Sequence, residues 1–303
     1  MTKIKKIIHY IFCEPRKFLL AILYRIAPII PDRLYLKWLF RLTMRRKLNL
    51  DNPQTFSEKL QWLKLYNRKP EYTQMVDKYG AKQYVSERIG EEYIIPTLGV
   101  WDSFDEIEFE KLPNQFVLKT THGGGNTGVV ICKDKNTFDK SSARKCLNAS
   151  LKSSIYTRLR EWPYKNVKPR IIAEQYISDD ENNDLPDYKF FCFNGEPKLC
   201  QVIRNRNTYE TIDFYDDNWT HMPFVGLNSF APNGINSVLK PYLIEEMLDI
   251  SKKISEGIPF VRIDLYFVKN KVFFGEITFF PASGIGSFRP EEWNKILGSW
   301  IRL

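Results

Sequence analysis

Two acidic residues, Asp264 and Glu276, have a spacing that favours metal chemistry. Each lies in a run of alternating residues that is typical of a β-strand, and the runs 260–268 and 272–280 are separated by a short turn. Carboxylates directly opposite each other on paired strands repel unless a cation lies between them. Magnesium accepts one or two carboxylates and fills its other positions with water and nucleotide phosphate oxygens. The spacing therefore predicts a magnesium site; the alternative is a charge cluster on a solvated face that Arg262 compensates.

The length of the turn after Val268 decides whether these carboxylates meet. A two-residue turn would put Asp264 and Glu276 on opposite faces of the hairpin, whereas a three-residue turn would set them opposite each other. The three-residue turn would also bring Arg262 and Thr278 to the same face. We predict this register because it leaves a single apolar face, formed by Val261, Ile263, Leu265, Phe267, Phe273, Ile277 and Phe279.

A glycine-rich loop between two predicted strands indicates a phosphate site. The first strand, 115–119, ends at Lys119, and Val129 begins the second strand. Because glycines lack a Cβ, backbone N–H groups in such a loop can approach an anion closely. A dinucleotide-binding loop would open a helix instead, which argues against that class of site. The loop residues of interest are His122, Gly123, Gly124, Gly125 and Gly128; a hairpin tip without a ligand is the alternative.

The elements that must position these groups alternate between helices and β-hairpins. Thr55 and Glu58 have capping-box spacing and predict a helix that ends near Leu65. Asn194-Gly195 predicts a tight hairpin turn. Further helices are predicted at 141–160 and 237–256, and further strands at 171–177, 187–193, 198–203, 212–215 and 219–222.

Composition narrows the class of partner and the cellular setting. The chain has 303 residues, of which 43% are hydrophobic, so it can bury a sizeable core. Its net charge of +9 suggests an anionic partner. Five cysteines without a Cys-x-x-Cys pair, together with three histidines, make a zinc site an unfavourable interpretation and favour a reduced, cytoplasmic setting. RNA-binding signatures are not evident, and we expect no nucleic-acid partner.

Residues 1–46 are both basic and apolar, which is typical of amphipathic helices. Pro15, Pro28 and Pro31 interrupt them. A basic amphipathic helix can lie on an anionic membrane surface, so we expect peripheral contact with the inner face of the cell membrane. An ordinary helical layer packed on the protein is the alternative. The apolar stretch from Phe18 to Ile30 is too short to span a bilayer.

Taken together, these stretches resemble the ATP-grasp superfamily, and most closely its TupA-like branch, which is associated with teichuronopeptide and surface-polysaccharide synthesis. The resemblance covers about residues 50–290. It implies an α+β fold in which two lobes with antiparallel sheets sandwich a nucleotide, after a helical N-terminal segment. The implied regions are 1–46 (basic amphipathic helices), 47–115 (a region before the ATP-grasp core) and 116–303 (the catalytic region). The matching stretches are Asn52–Val85, Phe116–Val130, Ile171–Ile177, Asp187–Lys198 and Pro259–Gly284.

The resemblance assigns nucleotide-side roles within these stretches. Lys119 resembles the lysine that contacts nucleotide phosphate, and the glycines resemble a mobile phosphate loop. The segment 174–177 resembles the connection between the lobes, where backbone groups of Gln175 and Ile177 would meet the adenine edge. The implied ATP-binding residues are Lys78, Lys119, His122, Gly123, Gly124, Gly125, Gly128, Glu174, Gln175, Tyr176, Ile177 and Lys189.

The resemblance also assigns the metal and the substrate side. Asp264, Glu276 and Thr278 are the implied Mg²⁺ ligands, and Thr278 stands where most ATP-grasp enzymes have asparagine and the TupA-like branch has threonine. From its place on the acidic face, Arg262 would stabilise an oxyanion of acyl transfer. Arg206 would hold an acidic substrate; ordinary surface charge is the alternative.

The reaction that the resemblance implies is ATP-dependent amide formation. A carboxylate of a surface polysaccharide, a uronic acid, would be activated as an acyl phosphate and captured by an amino acid or another amine. The expected partners are thus an acidic or lipid-linked glycan, an amine and an anionic membrane surface. Two alternatives stay open: a glycosyltransferase, although the chain has no Asp-x-Asp triplet, and an ATP-dependent polysaccharide kinase.

Overall fold

The structure is a computed structural model that describes residues 14–125, 127–178, 187–205, 209–227 and 231–303. Its α-helices are α1 (Pro15–Ile26), α2 (Asp32–Met44), α3 (Phe56–Tyr66), α4 (Glu71–Val76), α5 (Gly80–Ile89), α6 (Lys140–Leu151), α7 (Ile155–Leu159), α8 (Ile244–Ser255) and α9 (Glu292–Trp300). Its strands are β1 (Thr97–Trp101), β2 (Phe116–Thr120), β3 (Val129–Cys132), β4 (Ile171–Gln175), β5 (Asp187–Phe193), β6 (Glu196–Arg204), β7 (Thr211–Asp216), β8 (Val225–Leu227), β9 (Phe260–Val268), β10 (Lys271–Thr278) and β11 (Ser287–Arg289).

Two antiparallel sheets carry the groups that the sequence singled out. The smaller one has the strand order β1-β4-β2-β3, and the glycine loop joins its strands β2 and β3. The larger one has the order β10-β9-β5-β6-β7 and carries Asp264 and Glu276. Strands β8 and β11 form a separate antiparallel pair. The phosphate loop and the acidic pair therefore belong to different sheets, as the predicted two-lobed arrangement requires.

Each part of the fold has its own hydrophobic core. One core lies against the larger sheet and includes residues of α3, α5 and α8. A second lies between the smaller sheet and α6. A third is formed by α1 and α2, with Leu23, Leu36 and Leu39 fully enclosed. The predicted helical N-terminal segment is thus present from residue 15, while its first 13 residues lie outside the described part of the chain.

Helix α3 begins where its sequence predicts. The Thr55 hydroxyl accepts a hydrogen bond from the Glu58 N–H, and the Glu58 carboxylate accepts one from the Thr55 N–H, which completes the capping box.

Three predicted elements need correction. The predicted helix 141–160 is two helices, because Ser154 caps a new one; the helix predicted at 237–256 begins at Ile244; and 219–222 is not a strand but makes one bridge to β7.

The β9–β10 hairpin has a two-residue turn, so the predicted three-residue turn is wrong. Lys269 and Asn270 have φ values of +48° and +62°, the geometry whose twist suits tightly paired strands. The carboxylates nevertheless meet, because β10 contains a bulge at Gly275 that shifts the register. Beyond the bulge Glu276 pairs with Asp264, which confirms the predicted pairing.

The bulge also decides which side chains share the acidic face. Thr278 pairs with Arg262, as predicted. Before the bulge Phe273 pairs with Tyr266, so Phe273 is on the side of the acidic face and not in the predicted apolar row. Phe274 takes its place in the core, where it is 4% exposed.

Gly275→Val should disturb this arrangement. A Cβ at residue 275 would lie 2.9 Å from a ring carbon of Tyr266 and 3.0 Å from the Asp264 carbonyl oxygen, so the strand must shift. We expect a loss of roughly 1–3 kcal/mol in the free energy of urea-induced unfolding, and a displaced Glu276 side chain. Lys271→Val, which adds the same side chain at an exposed position of β10, is the control; equal behaviour of the two variants would show that the bulge is dispensable.

Candidate active site

Asp264 lies at the centre of a buried network on the larger sheet. Its side chain is 1% exposed, and its carboxylate accepts hydrogen bonds from Arg262 Nε at 2.6 Å and Arg262 Nη2 at 2.7 Å. Lys189, which pairs with Asp264 across β5 and β9, also donates to it and to Asp187, the latter at 2.8 Å. Two cations therefore neutralise Asp264 inside the protein, and both of its carboxylate oxygens already accept hydrogen bonds from them.

Glu276 is the more accessible member of the acidic pair. Its side chain is 31% exposed, and its Oε1 accepts from Arg262 Nη2 at 3.0 Å and from the Thr278 hydroxyl at 3.3 Å. The same Arg262 nitrogen donates to the Thr278 hydroxyl at 3.1 Å. Arg262 thus bridges both strands, and its guanidinium orients the acidic pair.

The two carboxylates have opposite electrostatic environments. Burial acts to raise the pKa of Glu276, but the positive charges of Lys78, Lys189 and Arg262 outweigh it and lower that pKa to about 2. For Asp264, burial is the larger effect and raises the pKa to about 6 against the opposing charges of Arg262 and Lys189. Because the two groups interact closely they titrate as a pair, and Glu276 is the member that stays ionised.

The glycine loop between β2 and β3 is anchored at both ends by backbone hydrogen bonds. The Thr120 N–H donates to the Gly128 carbonyl at 3.0 Å, and the Lys78 N–H donates to the Thr121 carbonyl at 2.9 Å. Gly128 has a φ of +71°, and a Cβ there would lie 2.3 Å from the Ser150 hydroxyl oxygen. Only glycine therefore fits this point, where the loop passes the end of α6.

His122 secures the loop from within. It is 5% exposed, and its Nε2 lies 3.2 Å from the Ser150 carbonyl oxygen. Burial lowers the pKa of His122, so its imidazole is neutral at neutral pH. The resemblance placed His122 among the implied ATP-binding residues, and this geometry favours a role in supporting the loop.

Lys78 connects the phosphate loop with the acidic face. Its ammonium group donates to the Gly123 carbonyl, within the loop. Burial lowers the pKa of Lys78, while the negative charge of Glu276, on the other sheet, and that of Glu174 oppose this effect. A single, partly buried cation therefore bonds to the glycine loop and interacts electrostatically with Glu276 on the other sheet.

Glu174 joins two lysines beneath the loop. Its Oε2 pairs with Lys119 Nζ at 2.6 Å and its Oε1 pairs with Lys82 Nζ at 2.8 Å. Lys82 was not predicted, since its partner is distant in the chain; its spacing of four residues from Lys78 was the available signal. Lys82 also donates to the Ile95 carbonyl and is 10% exposed in its side chain, whereas Lys119 is 20% exposed. Lys119 is therefore the member of this trio that a ligand can reach more easily.

Glu174→Gln should lower stability by an amount that depends on pH. Although burial acts to raise it, Lys119 and Lys82 lower the pKa of Glu174 from 4.5 to about 2. Because the folded pKa is depressed, this group stabilises the protein above about pH 4.5 and loses that contribution as pH falls towards about 2. We expect Glu174→Gln to lower the unfolding free energy by about 3 kcal/mol at neutral pH and by much less near pH 3. Urea unfolding across this range checks it, with Glu292→Gln on the surface as control; a difference independent of pH would contradict it.

The segment predicted to meet adenine follows β4. The Gln175 N–H already donates to the Pro96 carbonyl at 3.0 Å, so that group is not available to a ligand. Tyr176 and Ile177 are partly buried just past the end of the strand. The carbonyl of Gln175 and the groups after it remain the candidates for an adenine contact. Arg206 lies outside the described residues.

The donors on the acidic face fit magnesium through Glu276. Mg²⁺ prefers carboxylate oxygens and keeps several water or phosphate oxygens, and Glu276 is ionised and partly exposed. Asp264 is enclosed and bonded by two cations, so it would support the site rather than offer an open oxygen. Within the described ranges no group of three or more His, Cys, Asp or Glu residues is placed to hold a metal ion alone. A bound Mg²⁺ would therefore be held by Glu276 together with nucleotide phosphates.

Two antiparallel sheets, one with a lysine and a glycine loop and the other with paired carboxylates, define an ATP-grasp enzyme. The chain belongs to the TupA-like ATP-grasp family, whose model matches residues 58–302. This match confirms the predicted family and fold. No curated protein matches the sequence.

Similar solved structures are distant in sequence. A D-alanine–D-alanine ligase from Bacillus anthracis complexed with ATP is 15% identical, with a TM-score of 0.40 over 69% of this chain and 54% of that one. A D-alanyl-alanine synthetase A from Vibrio cholerae is 10% identical, with a TM-score of 0.45 over 80% of this chain and 62% of that one. The N5-carboxyaminoimidazole ribonucleotide synthetase purK, solved as an ADP complex, is 11% identical, with a TM-score of 0.43 over 73% of this chain and 50% of that one. The chain thus spans little more than half the length of these proteins.

Proposed function

We propose that this protein is an ATP- and Mg²⁺-dependent carboxylate–amine ligase that forms an amide on a surface polysaccharide. The observation that carries the proposal is the position of Glu276, an ionised and partly exposed carboxylate held by Arg262. Lys78 donates a hydrogen bond to the glycine loop on the other sheet, and the negative charge of Glu276 acts on it to raise its pKa against the effect of burial. A site with these two halves suits phosphoryl transfer from ATP to an acid.

The proposed reaction has two steps. A carboxylate oxygen of the acceptor attacks the γ-phosphorus of ATP, the bond to ADP breaks, and an acyl phosphate forms. The amine nitrogen then attacks the carbonyl carbon and loses a proton, and phosphate leaves with the acceptor oxygen. Phosphoryl transfer of this kind depends mainly on positioning and on neutralising charge.

The residues of the site would divide these tasks. Lys119 and the backbone of the glycine loop would bind the ATP phosphates, since a partly exposed ammonium group and close N–H groups suit anions. Glu276 would hold Mg²⁺, which supplies charge neutralisation on the transferred phosphoryl group. Arg262 would keep Glu276 in place; its guanidinium contacts three side chains already. Its predicted role at an oxyanion would require some of these bonds to be exchanged.

The proposed acceptor is a uronic acid of a polysaccharide, and the proposed amine is an amino acid. The net charge of +9 suits an acidic glycan, and the resemblance to the TupA-like branch supports surface-polysaccharide synthesis. A lipid-linked glycan intermediate would present the same carboxylate chemistry.

Release of ADP tests this proposal. Purified protein is given ATP and Mg²⁺ with a uronic-acid oligosaccharide, with amino acids, or with both. ADP release that requires both, together with an amide product by mass spectrometry, supports the ligase. A phosphorylated glycan formed without amine would indicate a kinase instead, and nucleoside diphosphate released only from a nucleotide sugar would indicate a glycosyltransferase.

A further inference from the structure

Helices α1 and α2 expose apolar side chains in two stripes. On α1, Leu19, Ile22 and Ile26 are three and four residues apart and are 47%, 40% and 37% exposed. On α2, Leu34 and Trp38 are four residues apart and are 41% and 44% exposed. Residues at these spacings share one face of a helix, and exposed apolar patches of this kind mark interaction sites.

The α1 stripe and Trp38 line a common open groove of about 630 Å³, and Leu34 lies outside its lining. Seven of its lining residues are apolar and three are basic, and none is acidic. The lining residues are Leu19, Ile22, Leu23, Ile26, Lys37, Trp38, Arg41, Leu42, Lys47 and Leu48.

The basic residues of the groove carry uncompensated charge. Lys37, Arg41 and Lys47 are exposed, and among the described residues no carboxylate pairs with them. The neighbouring Arg33 differs, since it pairs with Asp51 at 2.9 Å. These three positive charges therefore lie beside the apolar groove without a carboxylate partner among the described residues. A ligand of this face would have to be both anionic and apolar.

We infer that this groove face is a docking site for an anionic phospholipid bilayer. The apolar stripes enter the acyl-chain boundary, Trp38 lies at the level of the headgroups, and Lys37, Arg41 and Lys47 contact lipid phosphates. A bilayer satisfies both properties of the face without a shaped partner. No helix in the described part of the chain is long and apolar enough to cross a membrane.

This inference goes beyond the proposed ligase function and can fail or succeed independently of it. The helices α1 and α2 precede the residues 58–302 that match the family model. Binding to vesicles is measured without ATP or glycan, so loss of ligase activity would not affect the result.

Sedimentation of the full chain with vesicles tests the docking face. Vesicles of phosphatidylglycerol mixed with phosphatidylcholine should bind the protein, and vesicles of phosphatidylcholine alone should bind it at least about tenfold more weakly. Added salt should weaken binding to the anionic vesicles. Equal binding to both vesicle types, or no binding to either, would overturn the inference.

Paired variants distinguish binding through the groove from nonspecific binding through any exposed apolar or basic residue. Leu19→Gln with Ile22→Gln should weaken binding by about tenfold, whereas Ile235→Gln, which replaces an exposed apolar residue elsewhere, should not. Lys37→Gln with Arg41→Gln should weaken binding by about thirtyfold, and Lys145→Gln with Lys152→Gln, on or just after α6, should have little effect. These point changes leave residues 1–13 intact.

Two further readouts keep the result decisive. Circular dichroism must show that each variant is folded like the unchanged protein. Weaker vesicle binding by a folded variant can then be assigned to the groove face. Light scattering without lipid would reveal a dimer; a dimer that Leu19→Gln with Ile22→Gln dissociates, with vesicle binding unchanged, would assign the face to a second copy and overturn the inference.

Discussion

Glu276→Gln should lower the rate of ATP turnover by roughly 100- to 1,000-fold while the protein remains folded. The substitution keeps the size and the hydrogen-bonding atoms of the side chain, but it removes the negative charge of the accessible carboxylate on the acidic face. Without that charge the site would bind Mg²⁺ poorly. Steady-state ADP release and thermal unfolding of the same preparation measure both effects.

The comparison with Asp264→Asn makes this prediction specific. Asp264 is enclosed by Arg262 and Lys189, so its replacement removes the carboxylate that these two cations share. Asp187 and Glu276 still pair with them, and we expect a loss of about 3 kcal/mol of stability. Glu276→Gln should also lower stability, by up to about 3 kcal/mol at neutral pH, because the surrounding cations lower the pKa of Glu276 to about 2. Glu292→Gln, at an exposed site on α9, should leave turnover unchanged. If Glu276→Gln retained full turnover, the assignment of this carboxylate to the metal would be wrong.

Lys119→Met should weaken ATP binding by about 10- to 150-fold, the range expected for a lost hydrogen bond to a charged group. Its ammonium group pairs with Glu174 at 2.6 Å and is the more exposed of the two lysines on that carboxylate. The measurement is the dissociation constant of ATP by calorimetry. The expected loss follows if Lys119 contacts a phosphate in addition to Glu174.

Lys82→Met is the matched control for this change. It removes the same charge from the same carboxylate, but Lys82 is committed to Glu174 and to the Ile95 carbonyl. We expect Lys82→Met to lower stability and to change ATP affinity by less than about threefold. Equal losses of affinity in the two variants would mean that both lysines act only through Glu174.

The glycine loop and its strands could be predicted because their signals are local. Alternating residues up to Lys119, the glycines and the β-branched run from Val129 all fall within one short stretch, and the structure forms β2 and β3 there. The helix at Phe56 was predictable for the same reason, since its capping box lies within four residues.

The acidic face shows what local patterns cannot supply. The predicted pairing of Asp264 with Glu276 is present, but it results from a tight turn at 269–270 followed by a bulge at Gly275. Alternation of side chains indicates which residues face each other at the end of a hairpin. It does not indicate whether the extra residue lies in the turn or in a bulge within the strand. A turn of three residues and a turn of two residues with one bulge lead to the same facing pair, so the sequence identified the pair and misplaced the irregularity.

The network under the loop depends on contacts between distant segments. Lys82, Lys119 and Glu174 come from α5, β2 and β4, and their meeting requires the smaller sheet and the helix to be packed together. The resemblance placed Glu174 at the connection between the lobes, whereas its carboxylate is an internal partner of two lysines. Side-chain pairing of this kind follows from tertiary packing rather than from any local motif.

The transfer of acceptor oxygen into phosphate tests the central proposal most directly. The uronic-acid carboxylate is labelled with oxygen-18 and incubated with the protein, ATP, Mg²⁺ and an amino acid, and the released phosphate is analysed by mass spectrometry. Activation through an acyl phosphate predicts that labelled oxygen appears in phosphate in step with the amide. Amide formation with unlabelled phosphate, or ATP hydrolysis that never labels phosphate, would contradict the proposed ligase.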